Sequence, residues 1–251
     1  MWVIKYGGNA MTDAQERARL LADVRSVRAA DGRPVLVHGG GPYIEAELAA
    51  AGVASRFERG LRVTTLEAIG PVERALTLLG KRLAAELGDA VALTGRDAGL
   101  LRAERADNVL GEVGREVRVR RAVLDVLLAA GFTPVVGCLA LDAAGAPLNV
   151  NADEVAGAVA AALAAPCVFL TNVQGVLDDP SDPGSRLAVL DRSDARARIA
   201  DGRIAGGMIP KVESALAALD QGAPAAVIAD GRRAGELARV QAGTAGTRLV
   251  P

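Results

Sequence analysis

Residues 35–43, Val-Leu-Val-His-Gly-Gly-Gly-Pro-Tyr, read as a short apolar strand, three glycines and the opening of a helix. An apolar run too short for a helix fits a strand buried on both faces, and glycine lets the backbone turn sharply into the next element. A strand-to-helix joint of this kind is the repeating unit of an α/β protein with a mainly parallel sheet. It is also a place where free N–H groups and the helix dipole favour an anion. Taken alone, the stretch is compatible with a plain tight turn as much as with an anion site.

The same alternation extends in both directions. Val3 to Tyr6 reads as a first strand and Ala14 to Ala30 as a helix; Tyr43 to Ala51 is a helix broken by Gly52. Thr64 to Gly88 reads as one long or kinked helix, and Val91 to Thr94 as a strand. From Leu100 to Arg120 helical periodicity is missing, and Glu116 to Arg120 (EVRVR) suggests exposed hairpins. Val123 to Ala130 reads as a helix, Pro134 to Val136 as a strand and Asp142 to Pro147 as a hairpin turn. An alanine-rich helix at Ala152 to Ala165 leads into a strand at Cys167 to Thr171, and Asp178 to Ser185 is the most loop-like segment. Helices around Arg192 to Ala200 and Ile209 to Gly222, a strand at Ala226 to Ala229 and an edge strand at Arg248 to Val250 complete the pattern.

With 251 residues, one domain of two lobes is expected, divided at Pro166 into residues 1–165 and 166–251. The hydrophobic fraction is 51% with only 2% aromatic, so helices should pack closely through small side chains. Lys and Arg number 29 against 30 Asp and Glu, which leaves no basic excess for nucleic acid. No apolar run is long enough to cross a membrane. Cys138 and Cys167 lie in apolar segments without metal-ligand spacing, as expected of reduced thiols in a cytoplasmic protein.

Two lysines sit in glycine-rich runs near the two ends of the chain, Lys5 in VIKYGG (Val3 to Gly8) and Lys211 in GGMIPK (Gly206 to Lys211). Lys5 ends a strand beside the HGGG strand, and ligands gather at the carboxyl ends of parallel strands. That convergence favours the anion site at Gly39 to Gly41. Asp153, in NVNAD (Asn149 to Asp153), either caps the following helix or holds ammonium groups in place. Lys211 follows a helix opening with Pro210 at its first turn and by itself is an ordinary surface lysine. His38, the single histidine, suits a structural hydrogen bond. Arg115, Arg118, Arg120 and Arg121 form either a solvated strand edge or a contact for an acidic partner.

The P-loop, the dinucleotide fingerprint and the protein-kinase signatures are missing, as are a Ser-His-Asp set and a zinc-binding cluster. A carboxylate acceptor, with a pKa near ~4.3, is already ionised at neutral pH and needs no base. Transfer of a phosphoryl group to it requires charge neutralisation and alignment, which lysines, backbone N–H groups and Mg²⁺ supply.

VIKYGGNAM, VHGGGPYI, GLRVT (Gly60 to Thr64), LNVNADEVAGAVA (Leu148 to Ala160), GVL (Gly175 to Leu177) and GGMIPKVE (Gly206 to Glu213) occur in an order that resembles the amino-acid kinase family. The resemblance implies a three-layer αβα sandwich about an open, mainly parallel sheet, with the acyl substrate in the N-terminal lobe and ATP in the C-terminal lobe. It implies phosphorylation of the side-chain carboxylate of N-acetyl-L-glutamate, with Mg²⁺ held mainly by the nucleotide phosphates. Lys5 and Lys211 would stabilise the phosphoryl group in flight, with Asp153 orienting both. Gly8, Gly40 and Gly41 would offer N–H groups. Arg62 would pair with the substrate α-carboxylate, Asn149 would bind the same substrate, and Asn151 would support the loop. Asn172, Val173, Gln174, Gly175, Val176 and Leu177, with Arg203, Ile204 and Ala205, would line the nucleotide site.

Asn172 stands where the family commonly has aspartate, Thr94 to Gly99 (TGRDAG) replaces a usual SGKDG, Gly235 replaces a frequent histidine and Cys138 a frequent proline. The first strand begins almost at Met1, and with it the resemblance implies a homodimer without arginine feedback. A rival reading is a relative acting on 2-aminoadipate or glutamate attached to an acidic carrier protein. A third, of another class, is a non-catalytic sensor on the same fold.

Overall fold

The computed structural model describes residues 1–7 and 12–251, so Gly8 lies outside the described residues. Among these residues the chain runs β1 (Trp2–Tyr6), α1 (Ala14–Ala29), β2 (Pro34–His38), α2 (Gly41–Ala50), β3 (Arg56–Glu58), β4 (Leu61–Val63), α3 (Leu66–Leu87) and β5 (Ala90–Leu93). It continues through β6 (Leu101–Arg105), β7 (Val113–Val119), α4 (Ala122–Ala129), β8 (Thr133–Gly137), β9 (Leu139–Leu141), β10 (Pro147–Val150), α5 (Ala152–Leu163) and β11 (Cys167–Thr171). β12 (Val189–Asp191), α6 (Arg192–Ala200), α7 (Ile209–Asp220), β13 (Ala226–Asp230), α8 (Glu236–Gln241) and β14 (Thr247–Val250) follow.

One open sheet holds eight strands in the order β12-β14-β13-β11-β1-β2-β8-β5, and only the β13–β14 pairing is antiparallel. β1 is central: Lys5 is in register with Val37 of β2 and with Phe169 of β11. The near-continuous apolar strands are explained by cover on both faces, because successive side chains point to opposite sides. Val3, Val35, Val37, Cys167 and Phe169 pack into one core with α4, α5 and α7, while Ile4, Leu36, Val168 and Leu170 pack into a second with α1 and α8. The long α3 contributes to both, through Val72 and Leu76 on one side and Leu79 and Leu83 on the other. The result is the expected three-layer sandwich.

Cys138 and Cys167 are buried free thiols, and burial pushes Cys138 up to about 12. His38 is fully buried, its Nδ1 lies 2.8 Å from the Gly39 carbonyl, and burial lowers its pKa to about 4, so it is neutral at physiological pH.

Two local expectations change. Thr64 does not begin α3: Thr65 caps it by accepting from Ala68 N at 3.2 Å, while Thr64 forms a bridge to Gly111. The exposed hairpins expected over 100–120 are instead part of a closed four-stranded barrel, β10-β7-β6-β9. Its wall turns Leu101, Ala103, Leu139, Leu148 and Val150 into the larger core, while Val113 faces the other way and packs with Val63 and Leu110. Gly114 is required there, since a Cβ would meet Ala103 Cβ at 2.8 Å.

Candidate active site

The site is built at the carboxyl ends of the central strands, where three helices begin. Lys5 leaves β1 toward the start of α5, and its Nζ lies 2.7 Å from Asp153 Oδ1. Oδ1 accepts no well-aligned hydrogen bond, so the contact is a charge pair rather than a directed one. Asp153 is free for this because the capping role falls to Asn151, whose Oδ1 accepts from Asp153 N at 2.8 Å. The two readings of Asp153 are thereby separated: it stands one position inside the first turn, where a carboxylate also complements the helix dipole.

Across the site, α7 opens with Pro210 and carries Lys211 in its first turn. Lys211 Nζ donates to the Gly207 carbonyl at 2.9 Å rather than to Asp153. Ser214, one turn further along α7, donates to Asp153 Oδ2 at 2.7 Å, so the link between Asp153 and α7 runs through a hydroxyl. The helices approach closely because Gly157 of α5 faces Ala218 of α7, where a Cβ on Gly157 would come 3.0 Å from the Ala218 Cα. Lys5, Asp153 and Lys211 all line one cavity of about 560 Å³, together with Asn151 and Asn172. Two ammonium groups and one carboxylate on a shared cavity can bind and neutralise a polyanion without any proton transfer.

The acyl-side candidates form a separate group. Arg62 is buried; its Nη1 donates to Glu45 Oε1 at 2.8 Å and to Ser55 Oγ, and Phe57 lies 4.6 Å from its guanidinium carbon. Asn149 Nδ2 donates to Thr64 Oγ1 at 3.0 Å, and that hydroxyl donates to the Arg62 carbonyl, so Thr64 joins the two. Gly40 is the cap residue of α2 and Gly41 its first helical residue. A Cβ on Gly40 would stand 3.0 Å from Leu76 Cδ2, a second reason for glycine at that position. None of Arg62, Asn149, Gly40 and Gly41 lines the 560 Å³ cavity.

Of the nucleotide candidates, Asn172 lines the cavity, and the others do not. Val173 N donates to Thr171 Oγ1, Gln174 Nε2 to the Pro183 carbonyl, and Val176 N to Thr247 Oγ1. Gly175 has φ of 142°, and Leu177 bridges to Arg186. Arg203 is paired with Asp201 at 2.6 Å, Ile204 is buried, and Ala205 caps the 3₁₀ turn at Gly206–Met208.

Glu16, Ser214 and Arg232 also line the cavity and were not singled out from sequence. A serine or arginine on an amphipathic helix or turn carries no local pattern. Only the hydroxyl one turn after Lys211 on the same helix face offers a signal. In the arginine group Arg118 pairs with Glu104, Arg121 with Asp125, and Arg120 donates to the Ala98 carbonyl.

The sequence model of the amino acid kinase family matches residues 1–230. Acetylglutamate kinase of Deinococcus radiodurans is 55% identical over 250 residues, covering 99% of this chain and 100% of that enzyme. An acetylglutamate kinase of Thermus thermophilus is 52% identical over 185 residues, covering 72% of this chain and 74% of that enzyme. A crystal structure of a Streptococcus mutans protein superposes with a TM-score of 0.75 at 31% identity, covering 91% of this chain and 94% of that one.

Proposed function

The chain belongs to the amino acid kinase family, and from that premise we propose that it transfers the terminal phosphoryl group of ATP to the side-chain carboxylate of N-acetyl-L-glutamate, a step of arginine biosynthesis. The observation that carries the reading is the convergence of Lys5 and Lys211 on one cavity, with Asp153 ion-paired to the first. In the reaction a carboxylate oxygen attacks the γ-phosphorus, the bond to the bridging oxygen of ADP breaks, and an acyl phosphate forms. Lys5 and Lys211 neutralise charge on the equatorial and leaving oxygens, and Asp153 fixes the first ammonium. No residue is needed to take a proton from an acceptor already ionised.

ATP is placed over the C-terminal lobe, beside Asn172, and the acyl substrate over the N-terminal lobe, between the glycines of α2 and the Arg62–Asn149 group. The lobes 1–165 and 166–251 are in this sense functional halves. Mg²⁺ suits this cavity as an ion carried in by the triphosphate. The carboxylates lining it are Asp153, committed to Lys5, and Glu16, and among the described residues no three His, Cys, Asp or Glu side chains cluster as a ligand set. When bound, the ion neutralises phosphate charge. No helix among the described residues is long and apolar enough to cross a membrane. A cytoplasmic homodimer is the proposed state, checked by light scattering.

The test is trapping of the acyl phosphate with hydroxylamine in the presence of ATP and Mg²⁺. Hydroxamate formed from free N-acetyl-L-glutamate supports the proposal. Activity only on a carrier-linked acid, or on none, overturns it.

A further inference from the structure

A third cation stands on the cavity that holds the two lysines. Arg232 lines it from the turn after β13, whose last residue, Asp230, is in register with Thr171 of β11, and Arg62 and Asn149 do not line it. Its root and its head are both fixed. The turn is anchored to the neighbouring strand by Gly231 N donating to the Thr171 carbonyl at 2.9 Å, and Arg19 donates to the Arg232 carbonyl at 3.2 Å. The guanidinium meets Asp230 through two parallel bonds, Nε to Oδ1 at 2.8 Å and Nη2 to Oδ2 at 2.9 Å.

Closure of the turn does not require that guanidinium, because Arg232 N already donates to Asp230 Oδ1 at 3.1 Å. The exposures of the partners differ: the Asp230 side chain is 9% exposed and that of Arg232 is 52% exposed. A buried carboxylate thus grips one edge of the fork, and Nη1 donates to no acceptor among the described residues. Such an arrangement suits phosphate, for which a pre-aligned planar fork loses less freedom on binding than an ammonium on a loose stem.

We propose that Arg232, held in place by Asp230, binds a phosphate of the nucleotide through Nη1, which makes it a nucleotide-binding residue and Asp230 a positioning residue. This inference rests on the reading of the cavity as the ATP site. It adds that the triphosphate is gripped from β13 as well as from β1 and α7.

The test compares ADP with adenosine by calorimetry on the whole chain, alongside steady-state kinetics, for the parent protein, Arg232→Gln and Arg232→Lys. In Arg232→Gln, the expected result is a rise of about tenfold to a hundredfold in the ADP Kd and the ATP KM, the range of one charge-assisted bond. Adenosine affinity and the N-acetyl-L-glutamate KM stay within about twofold. Arg232→Lys recovers only part of the loss, because an ammonium cannot span both Asp230 oxygens. Equal weakening of ADP and adenosine would mean a structural role and overturn the proposal, as would an unchanged ADP Kd. Should Arg232→Gln fail to fold, Arg232→Lys carries the same comparison, and an ADP-to-adenosine ratio equal to the parent's overturns the idea. A parent protein that binds neither ADP nor ATP refutes the functional reading itself; one that binds them while the variants match it refutes this inference alone.

Discussion

Lys211 Nζ donates to the Gly207 carbonyl at 2.9 Å, a bond that uses one of the three N–H donors of its ammonium, and in the proposed reaction the others meet the phosphoryl group. Lys211→Ala is therefore expected to lower kcat about a hundredfold or more while N-acetyl-L-glutamate KM changes little, whereas Arg62→Ala mainly raises that KM. Steady-state kinetics with both substrates varied checks the split, and the opposite pattern would reverse the roles. His38 gives a pH prediction. Its folded pKa, about 4, is below the ordinary value of 6.5, so its contribution to stability is complete above pH 6.5 and is lost as pH falls from 6.5 toward 4. Urea unfolding should show a slope of at most about 1.4 kcal/mol per pH unit between pH 6.5 and 5, and His38→Asn should flatten it. A slope untouched by the substitution would assign it to other groups. Lys5 was legible because a charged residue ends an apolar strand next to glycines. The role of Asp153 was not, since capping and ion pairing use the same residue type in the same turn; only the register of Asn151 separates them.

Helices α5 and α7 carry Asp153 and Lys211 of the cavity, and their spacing is set by a glycine rather than by those groups. Gly157→Leu should push α7 away from α5, destabilise the fold by about 1–3 kcal/mol and lower kcat further than the stability loss accounts for. Denaturation and turnover measured on the same preparation test this; a stability loss with full turnover would show that the contact does not govern the site. Both helices were readable from their apolar faces and their openings. The barrel formed by β6, β7, β9 and β10 was not, because alternation in Glu116 to Arg120 identifies a strand without identifying what covers its inner face. Its inward residues come from three stretches of chain, and no local window contains them together.

Across the whole molecule residues 1–165 and 166–251, the two proposed halves, share one sheet, joined where β1 pairs with β11. Residues of both halves, among them Val155, Phe169 and Val212, also belong to one core. Unfolding should accordingly be a single transition, with the fluorescence of Trp2, the sole tryptophan, coincident with far-UV circular dichroism. Two separated transitions would mean that the halves are independent domains. The central place of β1 has a further consequence for how the chain is made. β2 is available as a partner early in synthesis, but the other edge of β1 finds Cys167, Val168 and Phe169 only after all of residues 1–165 have been made. A nascent chain thus carries an apolar strand with one unsatisfied border for much of its translation, the kind of intermediate that invites intermolecular pairing and that chaperones shield.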